Sequence, residues 1–194
     1  MHTANPHQTA TRMTLSEISQ TIPGKIVLAV SASAFVALCA HASIRLPFTP
    51  VPITLSDLAV LMVGLALGPS LAFTALVLYL AEGAIGMPVF NPGPGGMVQL
   101  LGATGGYLFA YPLAAAVTGM ISQKLKGRFF PALLGAAAGS TIIMTCGVLW
   151  LTLYVHYSLA SAFFLGAMPF LPGQLVKVLA ASGIVSSLNP LRRA

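Results

Sequence analysis

The polar residues with the clearest chemical potential lie beside long apolar runs. Lys177 lies in the apolar stretch Leu175–Leu179, and Gln174 comes three residues before it. An ammonium group there is costly unless it reaches the membrane interface or pairs with another group. Residues three apart share one helix face, so the two side chains offer hydrogen-bond donors and one acceptor together. Lys177 is therefore either a helix-end residue that reaches the interface or a charge-assisted partner for a substrate carboxylate or polar head group.

Three further polar residues have both a structural and a functional interpretation. Asn91 offers one acceptor and two donors in a loop rich in Gly and Pro, where Asn is also a good turn residue. Asp57 opens a predicted helix, where a carboxylate is favoured by the positive end of the helix dipole. Glu82, near the end of the next predicted helix, is a candidate partner for Arg45.

Motifs that would indicate catalysis are absent from the sequence. It contains no GxxxxGK[ST] phosphate loop, no HExxH and no GxSxG. Cys39 and Cys146 lie in apolar runs without zinc-ligand spacing, and His41 and His156 are lone histidines at predicted helix boundaries. We therefore expect neither an enzyme nor a protein with a metal or cofactor.

The composition indicates a membrane protein. Of the 194 residues, 57% are hydrophobic and 6% are charged, with a mean hydropathy of +0.90. A soluble domain carries about 25% charged residues, so lipid must cover most of this surface. The net charge of +6 comes from basic residues between apolar runs. A nucleic-acid-binding protein would instead cluster them on one face, so we expect no nucleic-acid partner.

The apolar runs predict an all-α, polytopic membrane protein with a six-helix bundle. Prolines at 47, 50 and 52 exclude a regular helix after the first segment, and Gly68-Pro69 breaks the second from the third. Residues 86–103 form a long loop rich in Gly and Pro. The predicted organisation is a cytoplasmic segment 1–24, a membrane domain 25–188 and a cytoplasmic tail 189–194. The six predicted segments are Lys25–Ile44, Thr54–Gly68, Pro69–Ala84, Thr104–Gln123, Pro131–Tyr154 and Pro172–Leu188.

The distribution of basic residues predicts a multi-pass protein of the cell (inner) membrane with both termini in the cytoplasm. Cytoplasmic segments of membrane proteins are enriched in Lys and Arg. With this topology only Arg45 and Lys177 fall on the outer side. The inner side holds Arg12, Lys25, Lys124, Lys126, Arg128, Arg192 and Arg193.

The same topology places most polar residues toward the outer ends of the helices, which suggests a pocket that opens outward. Tyr79 and Tyr107 flank the long loop and could either line this pocket or belong to an aromatic belt. On the first helix, Ala29, Ser33 and Ala37 form a stripe of small residues. Such a stripe either packs inside the bundle or faces a partner subunit.

Four runs resemble the BioY family, the biotin-specific S components of energy-coupling-factor (ECF) transporters. They are Pro47–Thr54, Gly86–Phe90, Gly102–Leu108 and Pro169–Lys177, in the family's order and spacing. The resemblance implies a six-helix S component with a biotin pocket near the outer face, closed by a loop between the first two helices. It also implies partners: a transmembrane coupling protein and two cytoplasmic ATPases.

The resemblance also implies roles for particular residues. Family pocket positions match at Asn91 and Lys177, whereas Gln174 stands where the family usually has Asp, and Ala103 where it has Pro. Because the Asp is replaced, we expect Lys177 to be freer to hold an anionic ligand.

Biotin has an apolar ring and chain, a ureido group and a carboxylate. We expect Lys177 to bind the carboxylate and Asn91 and Gln174 to bind the ureido group, although the two ends could be reversed. The expected apolar walls are Phe90, Tyr107, and Phe48 or Val51. Biotin is then the transported ligand and not a cofactor. The alternatives are an S component for another vitamin or small apolar acid and, with less support, a membrane enzyme or assembly factor.

Overall fold

The computed structural model describes residues 21–125, 129–153 and 155–188. Most of the predicted segment 1–24, the tail 189–194 and five of the nine Lys and Arg residues lie outside these ranges. The described chain is helical apart from one short strand pair and the connecting loops. Its helices are α1 (Ile22–His41), α2 (Ser56–Leu67), α3 (Pro69–Ala84), α4 (Gly96–Leu100), α5 (Gly105–Lys124), α6 (Phe129–Leu153), α7 (Leu159–Gly166) and α8 (Leu171–Leu188), with a 3-10 turn at Met168–Phe170.

The six predicted segments correspond to α1, α2, α3, α5, α6 and α8, which confirms the six-helix bundle. Helix α1 begins earlier than predicted because the Thr21 hydroxyl accepts a hydrogen bond from the Gly24 backbone N–H (3.2 Å). It ends at His41 because Ser43–Ile44 forms strand β1 instead. The break between α2 and α3 lies at Gly68, where a φ of 78° favours glycine.

Three described helical stretches are long and apolar enough to cross a membrane. They are Ile22–His41, Phe129–Leu153 and the stretch Leu159–Leu188 that includes α7 and α8. Helices α2 and α3 are apolar but shorter, with 12 and 16 residues. At 1.5 Å per residue α2 is too short to span a hydrocarbon core of about 30 Å by itself. The two form an apolar hairpin within the bundle.

The segment between α1 and α2 is a proline-rich loop closed by a small antiparallel sheet. Strand β1 pairs with β2 (Ile53–Thr54), with Ser43 opposite Thr54 and Ile44 opposite Ile53. Within the enclosed loop, residues 45–52, the prolines prevent a helix, as predicted. The Thr49 hydroxyl donates to the Leu165 carbonyl (2.7 Å), which holds the loop against α7. The long loop 86–103, predicted to be irregular, contains the short helix α4.

Small residues let the central helices pack closely. A Cβ atom added at Gly139 of α6 would lie 2.1 Å from Thr118 Oγ1 of α5, and one at Gly64 of α2 would lie 2.5 Å from the Ala115 carbonyl oxygen. Real atoms cannot approach so closely, so these positions require glycine. The outer surface instead carries exposed apolar side chains such as Ile26 and Leu38, as expected for a surface that faces lipid.

The small-residue stripe of α1 faces the interior of the bundle, which is the first of the two alternatives that the sequence left open. Ala29 is 5% exposed and Ser33 is 0% exposed. The Ser33 hydroxyl donates to a carboxylate oxygen of Glu82 on α3, so this face of α1 is already occupied by the chain's own bundle. Ala37 is half-buried and packs against the core.

Candidate functional site

Asp57 is the centre of a buried polar cluster at one end of the bundle. Its Oδ2 accepts hydrogen bonds from Lys177 Nζ (2.9 Å) and Gln174 Nε2 (2.6 Å), and its Oδ1 accepts one from the Tyr111 hydroxyl (2.8 Å). The first turn of α2 positions Asp57, while α8 presents Gln174 and Lys177 on one face. Ser140 of α6 donates to Gln174 Oε1 (3.3 Å), so four helices meet in this cluster.

This arrangement corrects the expectation that Lys177 is free to hold an anion. Relative to the Asp that the family usually has at this position, Gln174 removes a carboxylate from α8. Asp57 supplies one from α2 instead. The Lys177–Asp57 pair is buried and carries no net charge. Lys177 and Gln174 lie behind Asp57, and Asp57 itself lines the adjacent cavity.

A chain of hydroxyl groups extends from Asp57 along the cavity wall. Tyr111 donates its single proton to Asp57, so the Ser56 hydroxyl must donate to the Tyr111 oxygen (2.8 Å). The Thr54 and Ser56 hydroxyls are also hydrogen-bonded. Because Ser56 gives its single proton to Tyr111, Thr54 is the donor in this bond. This chain leaves the Thr54 oxygen, at the cavity edge, as an acceptor.

Tyr79 brings an unsatisfied hydroxyl to the same cavity. Its side chain is 0% exposed, and among the described residues its hydroxyl has no hydrogen-bond partner. Its ring stacks on Tyr111 with centroids 6.3 Å apart and meets Phe90 edge-on at 5.3 Å. Because an unpaired buried hydroxyl costs about 1–3 kcal/mol, it suits a ligand that supplies the missing partner.

Asn91 lies where this inner cavity meets a second, outer one. Its Oδ1 accepts from Gln99 Nε2 (2.5 Å), so the groups that Asn91 has to offer a ligand are its amide N–H donors. The inner and outer cavities share Pro52, Asn91 and Thr104 in their walls.

The two cavities differ greatly in volume. The inner one, beside Asp57 and Tyr79, has about 30 Å³, which is enough for about one water molecule. The outer one has about 310 Å³ and is lined by the 45–52 loop and the 91–104 segment. Ligand pockets usually have about 300–1,000 Å³, so a vitamin-sized ligand requires the inner cavity to widen.

The structure brings most, but not all, of the expected apolar walls to the inner cavity. Tyr107 and Val51 line it, and the Tyr107 hydroxyl donates to the Gly166 carbonyl (2.6 Å). Phe90 lies one layer behind, against Tyr79. Phe48 is 58% exposed and lies outside both cavities, so of the two alternatives Val51 is the one at the site.

Arg45 and Glu82, candidate partners by sequence, do not form an ion pair. The Arg45 guanidinium donates to the Pro92 carbonyl and lines the outer cavity, whereas Glu82 bonds to Ser33. Lys177–Asp57 is the ion pair found among the described residues. Within the same ranges no group of three His, Cys, Asp or Glu side chains could hold a metal ion.

Sequence reasoning missed the role of Asp57, although a signal was present. The chain has three acidic residues, and a lysine in an apolar helix needs one of them as a partner. Tyr111 and Ser56 carried no comparable signal, because a hydroxyl within an apolar run is unremarkable until its partners are known.

The bundle and its buried polar end define a membrane protein that binds a small molecule. Comparison with known proteins agrees. The family model described as "BioY family" matches residues 9–194. A biotin transporter BioY from Thermotoga maritima is 37% identical, covering 84% of this chain and 95% of its own length. A probable biotin transporter BioY from Pyrococcus horikoshii is also 37% identical, over 80% of this chain and 91% of that one.

A solved structure gives the same assignment. The crystal structure of the S-component for biotin from an ECF-type ABC transporter superposes with a TM-score of 0.79 at 26% identity, covering 91% of this chain and 94% of that one. The chain therefore belongs to the BioY family. It is a transport protein with the S-component fold, and not an enzyme.

Proposed function

We propose that this chain is the membrane component that binds biotin for uptake. The observation that carries the proposal is the likeness to the S-component for biotin, which extends over 91% of the chain. The site has the chemistry that biotin needs. The ureido group requires donors and acceptors, which Asn91, Tyr79 and the Asp57 cluster supply, and Tyr107 and Val51 give the apolar ring its walls.

Binding requires the 45–52 loop to move, because the inner cavity has only about 30 Å³. Val51 and Pro52 of this loop line that cavity, and Thr49 and Arg45 hold it to Leu165 and Pro92. Loop opening would break these two hydrogen bonds, and loop closure over the ligand would remake them.

Transport further requires an energy source, and we assign it to partner subunits: a transmembrane coupling protein with cytoplasmic ATPases. The sequence has no phosphate loop, so it does not hydrolyse ATP by that route. The docking surface is not the buried Ala29 stripe but an exposed apolar groove of about 370 Å³ between α1, α2 and α8. Among its lining residues are Leu28, Ser31, Phe35, Met62, Ala66 and Leu188.

The groove lies at the opposite end of the bundle from the Asp57 site. It is formed by the carboxyl-terminal ends of α2 and α8 and by the amino-terminal and middle part of α1. With both termini in the cytoplasm of a cell-membrane protein, as the basic residues indicate, the groove lies on the ATPase side and the site opens outward.

Binding by the purified, detergent-solubilised chain tests the proposal. We expect saturable binding of radiolabelled biotin at or below micromolar concentration, with desthiobiotin and lipoate competing less well. Preferential binding of lipoate or another vitamin would assign the S component to a different ligand. Absence of biotin binding at these concentrations would contradict the proposed function.

A further inference from the structure

Charge is distributed unevenly between the two cavities. The inner cavity is lined by the Asp57 carboxylate, whose charge is balanced by Lys177 behind it. Of the described residues that line either cavity, Arg45 is the cation, and it lies in the outer one. A ligand with one neutral polar end and one anionic end therefore meets two different environments.

Asp57 makes the inner cavity unsuitable for an anion. Lys177 Nζ is 2.9 Å from Asp57 Oδ2, so an anion close to Lys177 would also lie close to the carboxylate. Repulsion at such distances is strong in a poorly solvated site. A neutral group with N–H donors and a carbonyl oxygen is favoured instead, because Asp57 accepts hydrogen bonds and the unpaired Tyr79 hydroxyl can donate one.

The outer cavity has the opposite character. Arg45 uses one N–H to bind the Pro92 carbonyl, and a guanidinium has five such donors in a planar fork that matches a carboxylate. The cavities meet at Pro52, Asn91 and Thr104, so a ligand with its head in the inner cavity extends its chain toward Arg45.

We propose that Arg45 binds the carboxylate of the ligand, while the ureido head occupies the inner cavity beside Asp57 and Tyr79. This inference rests on the proposed function and fixes the direction in which biotin lies. It also gives the 45–52 loop a role in specificity, because the loop that covers the ligand carries the cation that recognises its tail.

The test compares biotin with its uncharged methyl ester. We expect the unmodified protein to bind biotin about tenfold more tightly than the ester. This ratio corresponds to one partly exposed charge-assisted hydrogen bond between Arg45 and the carboxylate. Arg45→Gln should bind the two ligands equally: losing the bond to Pro92 weakens both alike, and losing the guanidinium weakens biotin further. Arg45→Lys should keep part of the preference. Lys25→Gln, an exposed cation at the start of α1, is the matched control and should behave as the unmodified protein.

A salt titration of the unmodified protein gives a second measurement without a variant. Raising salt should weaken the binding of biotin and leave that of the ester unchanged, because screening acts on the exposed Arg45–carboxylate pair. If Arg45→Gln retains the full preference for biotin over the ester, the assignment of Arg45 is wrong. If the unmodified protein binds neither ligand, the proposed function itself is wrong.

Discussion

Lys177 of α8 forms an ion pair with Asp57 of α2, with Nζ and Oδ2 2.9 Å apart. The two residues are separated by 120 positions in the chain, and their side chains are 9% and 11% exposed. This pair joins the last helix to the first turn of α2 and supplies the polar wall of the inner cavity. It links the two helices at the polar end of the bundle.

The first prediction concerns the stability of this ion pair. Lys177→Met leaves the Asp57 charge buried without its partner, and such losses cost about 3–5 kcal/mol. We expect a clearly lower melting temperature of the detergent-solubilised protein. The double variant Asp57→Asn/Lys177→Met, in which no charge is buried, should recover much of the loss. If Lys177→Met melts at the same temperature as the unmodified protein, the pair is not buried as described.

The second prediction separates binding from stability with two tyrosines. Tyr79→Phe removes a hydroxyl that has no partner among the described residues, so the melting temperature should not fall. Biotin binding should weaken about fivefold, because one ligand hydrogen bond of about 1 kcal/mol is lost. Tyr111→Phe is the matched control. It breaks bonds to Asp57 and Ser56 and should lower the melting temperature. Unchanged biotin affinity in Tyr79→Phe would exclude that hydroxyl as a ligand partner.

The third prediction uses a glycine behind the site. A Cβ atom at Gly83 would lie 2.0 Å from Phe90 Cζ, so Gly83→Ala must displace the Phe90 ring, which packs on Tyr79. We expect biotin affinity, measured by equilibrium binding, to fall at least tenfold. Gly183→Ala is the control. Nothing lies within 4 Å of its added Cβ, so binding should not change. Equal affinities in the two variants would mean that Phe90 does not shape the site.

The fourth prediction concerns the hydrogen bond that holds the loop. Thr49→Val keeps the side-chain shape but removes the bond to the Leu165 carbonyl and the acceptor for the Val51 N–H. We expect biotin to dissociate about fivefold faster, measured by displacement of labelled biotin, since a net hydrogen bond contributes about 1 kcal/mol. Thr152→Val, which loses only a bond to Val148 within its own helix, should dissociate at the unmodified rate. An unchanged rate in Thr49→Val would show that the loop does not limit ligand release.

Local features of the sequence predicted the helices well. The apolar runs located the six main helices, and the prolines at 47, 50 and 52 located the loop, because both signals act within a few residues of chain. Sequence could not predict that Ser43–Ile44 leaves the first helix to pair with Ile53–Thr54. A two-residue ladder depends on a partner that becomes adjacent only after the loop folds.

Features that depend on how helices face one another were predicted less well. Lys177 and Gln174 lie on one helix face, as their spacing predicted, and both donate to Asp57. Their partner Asp57 lies on a distant helix, and from the sequence the favoured role of Asp57 is an interaction with the helix dipole. Likewise the sequence left open whether the Ala29 stripe faces the bundle or a partner, and whether Phe48 or Val51 lines the site. Periodicity shows that a helix has faces but not which neighbour each face meets.

The small inner cavity has a consequence for the membrane itself. About 30 Å³ leaves no room for a chain of water molecules beside Asp57. Protons and ions cross a bilayer along such water chains or along relays of ionisable groups. With the loop closed, the inner cavity therefore holds no continuous file of water beside Asp57.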